Sequence, residues 1–289
     1  MDEFINQLKE KYNYNDKLIE LLYPIITNMT EYFGEESKDK ILGTFMDVPI
    51  HFVETREDII EYTQSLGIKD EYILPTVASG GYEEYFQLND NKNVQRIPFI
   101  LIRSNYAKDK PDEQLAILIH EICHAIMNYN NAIIEGNKIH SKTGLIEEEI
   151  EILDDEIKTN RKTSVGKNVA IEEGLNEYDA RCITRMVLGR DYETSAYGTY
   201  VSYVKPVMDN EEVRKLIDYS RLNNTDEWKE VLGEELSQEF MDSLTNWVNT
   251  ILASDSTDEE KNNMKEIMVN TYQKIKSYME DYNNTKKRA

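Results

Sequence analysis

No apolar run in this sequence approaches the ~18 residues that a membrane-spanning helix requires, so no such helix is expected. The opening stretch, MDEFINQLKEKYNYN, lacks the basic start and apolar core of a secretory signal. A soluble protein retained in the cytoplasm is the expectation. Cysteine is scarce: Cys123 and Cys182 are too few for a disulfide framework, and neither has a CxxC partner. Both are expected as small buried side chains with free thiols in a reducing compartment. Positive charge is also short, with 33 Lys plus Arg against 55 Asp plus Glu and a formal net charge of -22. A surface of that sign repels phosphate backbones and anionic lipid, so neither nucleic acid nor a membrane is expected as a partner. Internal repeats and low-complexity linkers are missing too.

What is present suffices for a large core: 289 residues, of which 40% are hydrophobic. Helix-type spacing runs through residues 2 to 33, as one or two helices stopped by Gly34, and again through 56 to 66, opened by Thr55-x-x-Asp58 and closed by Gly67. Between them VPIHFV, residues 48 to 53, has the look of a short strand. From 72 to 103 the texture turns to β, in YILPTVAS, YEEYFQL and RIPFILIR. Pro111 suits the first turn of a helix over 111 to 128. Residues 144 to 162 alternate acidic and apolar side chains, which predicts a hairpin turning at Asp154-Asp155, with a charged helix as the rival. A helix over 168 to 188 ends at Gly189, and the remainder to about 285 reads as helical, with a Thr257-x-x-Glu260 cap and a frayed NNTKKRA end. The fold class expected is α+β with a small mixed or antiparallel sheet. The organisation expected is an N-terminal helical segment (1–70), a core (71–190) and a helical C-terminal subdomain (191–289).

Histidine is the other scarce residue, four in all, and two of them fall inside one apolar helical run, ILIHEICHAIMNY at 117 to 129. At about 100° per residue, His120 and His124 project from one helix face roughly 40° apart, so their nitrogens can converge on one ion. Glu121 stands about 100° from His120 and 60° from His124, within reach of a metal-bound water. Two imidazoles on Zn²⁺ with an intervening general base is the chemistry of HExxH. The flanking Leu115, Leu118, Ile119, Ile122 and Ile126 make the helix a buried one, where unpaired ionisable groups are costly. Cys123 lies on the side of His120 away from Glu121, where ligation strains the two-histidine geometry.

A catalytic zinc needs a third protein ligand, and AIEEGLNEYDARCITRM offers it. Glu173 and Glu177 lie one turn apart on one face, whereas Glu172 points about 100° away. Glu173 is assigned as the ligand and Glu177 as the carboxylate that accepts the free N–H of a zinc-bound imidazole; the swapped roles are the alternative. Without HExxH upstream, all three would read as a solvated acidic face. An oxyanion stabiliser is also required. Tyr197, Tyr200 and Tyr203 follow the second ligand helix and Tyr200 is taken as the catalytic candidate, with His140, on the loop after the first helix, as a further option; each is as readily explained as a packing or solvated side chain.

HEICH followed by EEGLNEY, whose Glu173 stands 49 residues after the second histidine, resembles the gluzincin branch of zinc metallopeptidases. The spelling Glu173-Gly174-x-x-x-Tyr178 is similar to the EGxxxY segment of the M1-like groups. The match covers His120, Glu121, His124 and Glu173, and Glu177 more loosely. The GxMEN aminopeptidase signature is missing, SGGYEEY being a superficial echo, and position 181 is Arg where thermolysin-like enzymes complete NExxSD. The resemblance implies a zincin-like catalytic core, one zinc ion, and a peptide or protein substrate lying along an edge strand, for which YEEYFQL is the candidate. Gly80-Gly81 then reads either as a turn or as a place of close backbone approach. The rival functions are a regulatory or binding protein on a zincin scaffold with one partner or no turnover, and a helical interaction protein with an accidental HExxH.

Overall fold

The computed structural model describes residues 1–68, 79–88, 94–105, 109–128, 133–135, 138–151, 169–192, 194 and 196–286. The fold is mixed α+β, mostly helical, and the chain divides into two compact units. The first takes Met1–Ile139, Glu151–Thr159 and Asp179–Thr194; the second takes His140–Ile150, Asn160–Tyr178 and Ser195–Ala289. Among the described residues no helix is long and apolar enough to cross a membrane.

The first unit opens with helices α1 (Asp2–Tyr12) and α2 (Asp16–Phe33). Asn13 in the left-handed region ends α1, and the Asn15 side chain accepts from the Leu18 N–H at 2.9 Å to start α2. A third helix, α3 (Lys38–Asp47), is one that periodicity did not signal. Its apolar stripe is short, Ile41 and Phe45 being buried, and Gly43 interrupts its interior. Strand β1 (Ile50–Val53) leads into α4 (Arg56–Ser65), which begins at the predicted capping box: the Asp58 N–H donates to Thr55 Oγ1 at 3.1 Å, and Asp58 accepts from the Thr55 N–H at 2.9 Å.

Strands β2 (Gly80–Leu88) and β3 (Val94–Arg103) complete a mixed sheet of order β1-β3-β2, with β1 parallel and β2 antiparallel to β3. Pro98 sits in the central strand without penalty. The even positions of β3 turn their N–H groups toward β1, as Ile100 does to the Pro49 carbonyl at 2.8 Å, but β1 pairs only from Ile50, opposite Ile100. Ile97, Phe99 and Leu101 face one way, onto Ile59 and Tyr62 of α4. The long helix α5 (Pro111–Asn128) packs against β2 and β3, with Gly80 beside Ile102 and Ile117. Residues 72 to 78 of YILPTVAS, the turn at 89 to 93 and Asp154-Asp155 lie outside the described residues.

A second sheet has the order β4-β5-β6, from Ile133–Glu135, Lys138–Thr143 and Ile146–Glu151. Of the alternating stretch, Ile146–Glu151 is strand, and it pairs backward onto β5 across Gly144-Leu145, where Gly144 takes φ 58°. Helix α6 (Val169–Leu188) ends at Gly189, φ 63°. Helices α7 (Gly198–Met208), α8 (Glu211–Asn223), α9 (Lys229–Leu232), α10 (Glu234–Leu252) and α11 (Asp258–Lys286) build the rest of the second unit. Its core gathers Ile171, Leu175, Val204, Trp228, Phe240 and Ile275. Both cysteines are free thiols, Cys123 fully buried and Cys182 partly exposed, the latter against expectation.

Candidate metal centre

Helix α5 begins with Pro111 and carries Asp112 and Glu113 in its first turn, where carboxylates complement the helix dipole. Its stripe of Leu118, Ile119, Ile122 and Ile126 is buried almost completely, and this burial takes His120 and Glu121 inside with it, at 5% and 9% exposure. The i, i+4 spacing brings His120 Nε2 and His124 Nε2 to 3.1 Å, with ring centroids 4.8 Å apart and the planes at 72°. Two nitrogens bound to one tetrahedral zinc at ~2.0–2.1 Å stand about 3.3 Å apart, so the imidazoles are already near a shared position.

Glu121 is fixed from the sheet. Its Oε2 accepts the main-chain N–H of Tyr82 at 2.8 Å. Gly80 makes that approach possible, because a Cβ there would stand 3.0 Å from Ile117 Cγ2 and 3.2 Å from Glu121 Cγ. Gly80 and Gly81 are thus the first residues of β2, and the close approach that Gly80 permits is to the HExxH helix itself. At the C-terminal end of α5 the Asn128 amide donates to the Tyr82 hydroxyl at 2.9 Å and to Glu84, which also pairs with Arg96. Burial pushes the Tyr82 hydroxyl pKa up, with the Arg96 charge opposing.

In the second unit, Glu173 lies half-buried in the first turns of α6. Gly174 lets α7 come close: a Cβ there would be 3.0 Å from the Tyr200 carbonyl oxygen. Burial raises the Tyr200 hydroxyl pKa, and the Glu173 carboxylate raises it further. Tyr197 is exposed, its ring 5.6 Å from that of Tyr200. Tyr203 turns into the core, bonded to Ser243. His140 belongs to β5 rather than to a loop. The acidic trio is not a solvated face: Glu172 is fully buried against Arg221, and Glu177 is 4% exposed.

His120, His124 and Glu173 each offer a ligand atom, and these three atoms all lie within 4.8 Å of one another. No family model, curated protein or solved structure matches the chain. The donor set itself therefore carries the chemistry. Two neutral imidazole nitrogens and one carboxylate oxygen suit a borderline-soft divalent cation. Glu121, Glu177, Cys123 and Tyr200 are outside this group of three. Sequence reasoning missed the Tyr82 amide, a backbone contact that leaves no mark in residue type. It missed Arg221 too, although a signal existed: Arg221 falls at the spacing of Val213 and Ile217, on the buried stripe of α8.

Proposed function

We propose that the protein is a zinc-dependent peptidase of the gluzincin type, with a zincin-like catalytic core, hydrolysing peptide bonds in a peptide or protein substrate. The observation that carries this reading is the assembly of His120, His124 and Glu173 with donor atoms within 4.8 Å, next to a glutamate already oriented by a backbone amide. His120, His124 and Glu173 would hold the zinc ion, which would supply Lewis acidity and the means to activate water near neutral pH. Glu121 accepts the proton of the attacking water and delivers it to the departing amine. The bond from the Tyr82 N–H to Oε2 fixes the orientation of this carboxylate. Tyr200, whose hydroxyl stays protonated at neutral pH, donates to the developing oxyanion. β2 is the outer strand of its sheet among the described residues, and beyond the Tyr82 N–H, which is taken by Glu121, its alternation turns the backbone groups of Glu84 and Phe86 away from β3. An extended substrate segment aligns along that margin.

Elemental analysis of purified wild type beside His120→Ala is the first test. One zinc per chain in the former and loss in the latter supports the site; absence of stoichiometric metal from wild type removes it. Digestion of a broad peptide library then separates enzyme from scaffold. Glu121→Gln retaining zinc but losing turnover by several orders of magnitude supports catalysis, whereas an inactive, zinc-loaded wild type leaves a binding protein.

A further inference from the structure

The first turns of α6 are gripped at a site that the reaction does not use. Glu172, Asn176 and Arg221 have no solvent exposure, and Asp218 is 2% exposed. The Arg221 guanidinium donates through Nε to Glu172 Oε1 at 3.0 Å and through Nη2 to the same oxygen at 2.6 Å. Nη2 also donates to Asn176 Oδ1, one turn further along α6, and Nη1 to Asp218 Oδ1 at 3.2 Å. On its other side Glu172 accepts the Leu145 N–H at 2.8 Å, from the turn between β5 and β6. Gly144 has no room for a side chain: a Cβ there would stand 2.3 Å from Glu172 Oε1.

Such burial of charge is a poor route to stability, since apolar side chains of similar volume serve as well or better. A guanidinium fork adds direction instead. One arginine holding two side chains a turn apart on one face fixes both the rotation of α6 about its axis and its position along it. The next residue after Glu172 is the ligand Glu173. A rotation of about 20° carries a carboxylate ~6 Å from the helix axis through roughly 2 Å, the length of a metal–oxygen bond.

We propose that Arg221 is a positioning residue for the metal ligand Glu173, acting through Glu172 and Asn176. This rests on the metal-site reading above. The test replaces the pair by apolar groups of similar length, Glu172→Met with Arg221→Met, beside Arg221→Lys, which keeps the charge without the fork. Zinc affinity is measured by chelator competition, the visible spectrum after cobalt loading, and the fold by far-ultraviolet circular dichroism and apo-protein melting. The double variant is expected to fold, to bind zinc roughly 10- to 100-fold more weakly, and to show a cobalt spectrum displaced toward that of Glu173→Ala. Wild-type affinity and spectrum in the folded double variant overturn the proposal. If the double variant does not fold, Arg221→Lys decides: a weakened affinity with an altered cobalt spectrum supports the role, and wild-type values overturn it. A wild type that takes up neither metal removes the site reading, and this inference with it, whereas metal-loaded wild type with an indifferent variant removes only the positioning role.

Discussion

Gly174 shows what a single hydrogen atom in place of a side chain achieves. With the Tyr200 carbonyl 3.0 Å from where a Cβ would sit, Gly174→Ala forces α7 outward. Overpacking of this kind costs about 1–3 kcal/mol, and a lowered urea midpoint together with weaker tyrosine-dependent turnover is the expected outcome. His51 gives a pH prediction of known sign. It stacks on Tyr62 with centroids 3.9 Å apart, and burial holds its pKa below the usual 6.5, against a smaller upward pull from Asp58. The unfolded chain therefore binds the proton more readily than the native one. This residue's contribution is complete above pH ~6.5 and is lost as pH falls through the native pKa. Stability curves of wild type and His51→Gln, measured between pH 5 and pH 8, should diverge at the acid end in that direction. At this scale the sequence was informative where chemistry and spacing coincide, as in His120, His124 and Glu173. It was uninformative where a role depends on a distant partner, as with Glu172, whose neighbour Arg221 lies 49 residues away.

Among the elements, those with local signals at both ends were legible. α4 begins at its capping box, α5 at Pro111 and α6 stops at Gly189, because caps and left-handed stops act within a few residues of chain. Thr55→Ala removes one such bond and should lower stability by ~1 kcal/mol in chemical denaturation. α3 escaped notice since its helicity comes from packing of Ile41 and Phe45 rather than from a strong pattern of its own. The pairing of Ile146–Glu151 with Lys138–Thr143 was not legible, because the Gly144 turn is short and that partner strand is polar. The lower end of α5 is tied to β2 by Asn128, Tyr82, Glu84 and Arg96. Asn128→Leu strips the Tyr82 hydroxyl and Glu84 of that donor, and a loss of about 1–3 kcal/mol is expected, read from denaturant curves.

For the molecule as a whole, the patterning of apolar residues indicated the α+β class and the composition an acidic surface, but strand order could not be read. The parallel pairing of β1 with β3 joins residues about fifty apart, and nothing local encodes it. Metal linkage is a whole-chain property. If the site takes zinc as proposed, the ion at a thousandfold excess over its dissociation constant would add ~4 kcal/mol to the folded state. Calorimetry should therefore show a raised melting temperature that chelator abolishes and that His120→Ala lacks. With a net charge of -22, encounter with cationic peptides is favoured by the field, so kcat/KM for such substrates should fall as salt rises while neutral peptides change little. The bond from Tyr82 to Glu121 has a practical corollary. A lone backbone proton, identifiable by isotope-edited NMR, is wired to the side chain that would do the chemistry, so its resonance frequency and solvent exchange form a built-in gauge, readable in the intact chain before any substrate is known.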